Sequence, residues 1–92
     1  MSKELIGYVP VDSGQLMVAD PCNLKKFTQD DYEDCVRLTT SRGTPAGETF
    51  TKGLGRIPLG VVSATEGDGK FPVYIYRNDK GEVVSIMVDL DP

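Results

Sequence analysis

Phe71-Pro72-Val73-Tyr74-Ile75-Tyr76-Arg77-Asn78-Asp79-Lys80-Gly81-Glu82-Val83-Val84-Ser85-Ile86-Met87-Val88-Asp89-Leu90 is the stretch that decides the fold. From 71 to 76 it alternates, Phe71, Val73 and Ile75 against Tyr74 and Tyr76, with the period of two that a strand imposes. Asn78-Asp79-Lys80-Gly81 is a tight turn that puts glycine where a positive φ is needed. The chain returns through 83–90, with Val84, Ile86, Val88 and Leu90 on one face and Val83, Ser85 and Met87 on the other. These residues predict an antiparallel hairpin.

Working outward, Ile57 to Ala64 (IPLGVVSA) reads as a further strand, ended by the turn residues Thr65 to Lys70. At the other end, 5–11 (LIGYVPV) and 15–19 (QLMVA) flank Asp12-Ser13-Gly14 and predict an N-terminal hairpin. Leu5, Gly7, Val9 and Val11 would share one face and Ile6 and Tyr8 the other. Pro10, which has no N–H to give a ladder, places the first strand at an edge. The one helix candidate is 28–38: Thr28 suits an N-cap, and Asp30, Asp31, Glu33 and Asp34 favour the positive end of a helix. Tyr32, Cys35 and Val36 form its short apolar stripe. From Thr39 to Arg56 no period survives, and a long loop is expected. The fold class is therefore mostly β (α+β): a small antiparallel sheet, sandwich or partly open barrel of about five strands with one short helix at 28–38.

A chain of 92 residues suits a single domain, and 39% apolar with 26% charged residues is a globular composition. No window has the roughly 18 apolar residues of a membrane span, and Met1-Ser2-Lys3-Glu4 lacks the layout of a signal peptide, so a cytoplasmic setting is expected. The net charge of −4 argues against general binding of nucleic acid or anionic membrane. There is no histidine, which removes the commonest general base and metal ligand together. Cys22 and Cys35 are expected as reduced, buried, small apolar residues rather than a disulfide, and two cysteines are too few for a zinc site without carboxylates. No cofactor is implied.

Four sets of residues carry candidate chemistry. Segment 39–56 offers hydroxyls (Thr39, Ser41, Thr44), cations (Arg42, Lys52, Arg56) and glycines such as Gly43 that let backbone N–H groups approach a ligand. That is material for holding an anion or nucleotide, although it lacks the G-x-x-x-x-G-K-[ST] of a P-loop, and the plain alternative is a solvated loop. Tyr74 and Tyr76, with Tyr8 and Phe71, suggest either a stacking platform or aromatic residues half-buried over a core. Asp12, Asp68 and Asp89, with Asp20 and Asp91, would bind a hard cation if the chain ends converge; alone they are ordinary turn residues. The acidic run 30–34 is either a solvated helix face or a contact surface for a basic partner.

Val11-Asp12-Ser13-Gly14-Gln15-Leu16-Met17-Val18-Ala19-Asp20-Pro21-Cys22 resembles the opening of a family of small, uncharacterised phage and bacterial β-rich proteins. Gly67-Asp68-Gly69, then Phe71-Pro72-Val73-Tyr74, a turn and a strand ending Val88-Asp89-Leu90, resembles their closing segment. The resemblance implies a β-rich fold and a phage origin, and it carries no established activity.

Together these readings predict a small non-catalytic protein that binds an anionic small molecule or nucleotide. If it is phage-encoded, sequestering a host defence signal in the host cytoplasm is a sensible use. Homo-oligomerisation would enlarge the pocket of so small a chain. The alternatives are a module that inhibits a host protein through its acidic helix or a strand edge, and a metal-dependent hydrolase built on the aspartates.

Overall fold

In a computed structural model, which describes residues 2–40, 42–43 and 46–92, the chain is mostly β. Along the sequence come β1 (Ser2–Val11), β2 (Gln15–Ala19), a 3₁₀ turn (Pro21–Lys26), helix α1 (Gln29–Thr39), β3 (Glu48–Thr51), β4 (Leu54–Ile57), β5 (Gly60–Ala64), β6 (Gly69–Arg77) and β7 (Val83–Val88). The strands form two antiparallel sheets, three-stranded in the order β1-β6-β7 and four-stranded in the order β2-β5-β4-β3, with no closed barrel.

The C-terminal hairpin forms as the alternation predicts, Ile75 opposite Ile86 and Tyr74 opposite Met87. Asn78 organises its turn: the side-chain oxygen accepts the N–H groups of Lys80 (2.9 Å) and Glu82 (3.0 Å). A bulge between Tyr76 and Arg77 takes Val84 out of the simple alternation, and the strand stops at Val88 rather than Leu90.

The predicted N-terminal hairpin is not formed. β1 pairs with β6 from Ser2↔Arg77 to Val11↔Gly69, and β2 pairs with β5. Asp12-Ser13-Gly14, with Gly14 at φ +68°, carries the chain from one sheet to the other instead of folding it back. The physical reason is length and burial: β6 offers ten-residue β1 a ladder along nearly its whole course, while β2 contributes Met17 to the core under the helix. A register shift at Ile6 also regroups β1, placing Leu5 opposite Tyr74 and Tyr8 opposite Pro72 on one face, with Gly7 and Val9 on the other.

Segment 39–56 is not a loop throughout. β3 and β4 pair around Lys52-Gly53, where Gly53 at φ +81° makes the reversal. The expected strand 57–64 breaks at Pro58-Leu59, giving the end of β4 and all of β5. These two hairpins raise the number of strands from about five to seven.

α1 has Thr28 as its N-cap, as expected. The Thr28 hydroxyl accepts the Asp31 N–H (3.2 Å) and the Asp31 carboxylate accepts the Thr28 N–H (2.9 Å), a reciprocal cap. The helix packs on the four-stranded sheet, where Cys35, Leu38, Ile57 and Val62 form the core with Met17, Phe27 and Leu59 against it. Gly55 allows this contact: a Cβ there would meet Leu38 Cδ2 at 2.7 Å and the Glu48 carbonyl at 2.8 Å. Cys35 is buried as expected, but Cys22 is exposed in the 3₁₀ turn; both thiols are free.

The three-stranded sheet has no helix of its own. It buries Val11, Phe71 and Ile75 but leaves Leu5, Ile6, Tyr8, Val83, Val84 and Ile86 exposed. The molecule is correspondingly long, 43 × 26 × 23 Å, and its 14.4 Å radius of gyration exceeds the roughly 12 Å of a compact domain of this length. Among the described residues no helix is long and apolar enough to cross a membrane.

Candidate functional site

Antiparallel partners share a face, so the β1–β6–β7 register gathers the tyrosines. Tyr74 and Tyr76 lie on one face of β6, as their spacing predicts, and Tyr8, opposite Pro72, joins them. Leu5 and Lys3 stand opposite Tyr74 and Tyr76, and Met87 and Ser85 flank them from β7. Lys3 extends its ammonium over the Tyr74 ring, 4.3 Å from the centroid. Lys70, two positions before Pro72, brings a second cation to the far end of the same face. Tyr8 is 59% exposed, and Tyr74 and Tyr76 are half-buried, so their rings are held yet accessible. The Tyr76 hydroxyl lies 4.0 Å from the Met87 sulfur.

Segment 39–56 is arranged differently. Thr39 spends its hydroxyl on the helix end, donating to the carbonyls of Cys35 (2.9 Å) and Val36 (3.1 Å). Arg56 pairs with Glu48 across the β3–β4 ladder and stacks 5.8 Å from the Phe50 centroid. Gly43 turns at φ +68°, close to Thr49, and the Arg42 N–H closes on the Arg37 carbonyl at 2.8 Å. Lys52 is exposed on the hairpin turn. Ser41 and Thr44 lie outside the described residues. The open depression bounded by Ala46, Gly47, Arg56 and Pro58 includes the Glu48 carboxylate, which offsets the Arg56 charge.

Two of the candidate aspartates, Asp20 and Asp89, hold local turns. The Asp20 carboxylate accepts the Cys22 N–H (2.9 Å) and that of Asp89 accepts the Asp91 N–H (3.1 Å). Asp68 sits over the Asp12–Gly14 turn, its oxygen 3.9 Å from where a Cβ on Gly14 would be. Among the described residues no three of Cys, Asp or Glu gather in a way that could hold a metal ion. The Cys35 thiol is pushed above its ordinary value, chiefly by burial and then by the Asp31 and Asp34 carboxylates. That makes it a poor nucleophile at neutral pH.

Two features escaped the sequence. One is the pairing of lysines with the tyrosines: Lys3 meets them only across strands, and Lys70 shares their strand because β6 starts within the segment that reads as a turn. The other is Gln15, whose side-chain oxygen is buried without a partner among the described residues, beside a small pocket of about 130 Å³ lined by Ser13, Phe27, Tyr32 and Cys35. The only sequence signal for it is a polar residue at the head of an apolar strand. The pocket falls below the roughly 300 Å³ at which small-molecule sites begin. Comparison of the chain with family models, with curated proteins and with solved structures gives no match.

Proposed function

We propose that the chain is a non-catalytic binding protein that captures an anionic small molecule bearing a planar ring, a nucleotide above all, on the tyrosine face of β1 and β6. One observation carries this reading: the register sets Tyr8, Tyr74 and Tyr76 on one face with Lys3 and Lys70 at its ends. Stacking on an exposed ring stabilises a base by about 1–3 kcal/mol, and lysines at either end suit phosphate oxygens. Segment 39–56 supports the reading less, because Arg56 and Thr39 already have partners. The resemblance to small phage proteins makes sequestration of a nucleotide signal in a host cytoplasm the use proposed.

The test is thermal unfolding against a panel of mononucleotides and cyclic dinucleotides. One class is expected to raise Tm, with the increase lost in Tyr8→Ser and Lys3→Met, both exposed and compatible with folding. No shift with any nucleotide would sink the proposal. A second reading, inhibition of a host protein, rests on the carboxylates of Asp30 and Glu33, which are exposed on α1 while Asp31 serves the cap. Its test is a stoichiometric partner recovered from host lysate and lost when Asp30 and Glu33 become Asn and Gln.

A further inference from the structure

The four sheet edges are guarded unequally. β1 carries Lys3, Glu4, a bulge at Ile6 and Pro10, the devices that keep one edge from pairing with another. β3 is four residues long and bears Glu48. β2 lies across a cleft from Val9, Pro10 and Val11 of β1. β7, Val83-Val84-Ser85-Ile86-Met87-Val88, has no charge and no proline over six residues, and among the described residues it pairs on one side only. Its outer side therefore presents a row of unpaired N–H and C=O groups.

The same edge borders an open apolar groove of about 320 Å³, where Ile86 and Val88 face Leu16, Val18, Leu54 and Val61 on the side of the four-stranded sheet away from α1. Ile86 is 70% exposed and Val18 67%. We propose that a second copy of this chain covers them, β7 pairing antiparallel with β7 of the other copy about a two-fold axis normal to the sheet. The register that centres Ile86 on the axis sets Val84 against Val88 and Val83 against Asp89, so no carboxylate faces another. Val18, Val61, Val83, Val84 and Ile86 expose on the order of 500 Å² per copy, so the apolar surface that two copies can cover comes to about the 1,000 Å² that a specific interface needs. An axis normal to the sheet keeps like faces together. The resulting six-stranded sheet carries both tyrosine faces on one side.

Sedimentation velocity of the full chain without any nucleotide tests this separately from ligand binding. A reversible monomer–dimer equilibrium is expected, with no larger species because a two-fold pairing closes on itself. Ile86→Lys is expected to weaken the dimer at least tenfold while Leu5→Lys, on the other face, leaves it unchanged; Val84→Lys is an independent second disruption should Ile86→Lys not fold. A wild-type chain that stays monomeric at every concentration, leaving β7 for a strand of some other protein, overturns the proposal. So does a dimer indifferent to both lysines, or assembly into fibres.

Discussion

The four-stranded sheet and the three-stranded sheet solve the same problem by different means. One lays α1 over its inner face and closes Leu38, Ile57 and Val62 to solvent. The other, built on the longest ladder in the molecule, leaves apolar side chains on both sides in water. The first half is held by tertiary packing, the second by hydrogen-bonded pairing with much of its apolar surface uncovered. The contrast teaches where to seek function: stability concentrates under the helix, and surface available for contact concentrates on β1, β6 and β7.

The comparison can be broken hardest at Leu38. Leu38→Ala is expected to cost about 3 kcal/mol, measured as a fall in the denaturant midpoint, because the residue is fully buried and its loss leaves a cavity in the core beside Ile57 and Val62. A loss under about 1 kcal/mol would show that the helix half is not the core that packing makes it. Next comes Gly60→Ala, about 1–3 kcal/mol, since a Cβ there would overlap the Val18 carbonyl and force β2 from β5. Thr28→Ala should cost about 1 kcal/mol through the lost cap, visible in the helical circular dichroism signal. In the exposed half, Tyr8→Ser should change stability by no more than about 0.5 kcal/mol while changing what binds; a large loss would mean the tyrosine face is structural.

The smallest effect is alkaline. The unfolded chain ionises Cys35 near the ordinary thiol value of 9.0, whereas the folded chain holds the proton longer. Its contribution to stability is therefore complete below that pH and is lost as pH rises through the folded value. A pH series with Cys35→Ala should remove that slope.

Much of this was legible residue by residue. The C-terminal hairpin is written in the parity of residues 71–76 and in Asn78 and Gly81, and α1 in Thr28 and the carboxylates after it. What was not legible is long-range or masked. The partner of β1 lies some sixty residues away, and nothing local in LIGYVPV distinguishes β6 from β2. Threonine and glycine in 48–57 hide two strands, because the alternation there is not one of polarity: all of β3 is exposed. Of the tyrosine face, parity in β6 revealed Tyr74 and Tyr76; Lys70, on the same strand, was hidden because Thr65 to Lys70 reads as a turn, and Lys3 joined them only once register was known.

The first and last strands belong to the three-stranded sheet, and everything from Gln15 to Ala64 is inserted between β1 and β6. The inserted portion leaves and re-enters side by side, for the Thr65 N–H donates to the Gly14 carbonyl at 3.0 Å. The helix-bearing half is thus a cassette closed at its base by this hydrogen bond and the adjoining Gln15–Ala64 pair. Beyond its base, Leu16, Val18, Leu54 and Val61 border Ile86 and Val88 of β7, so an exchanged insert must keep both its two ends adjacent and its apolar side toward β7.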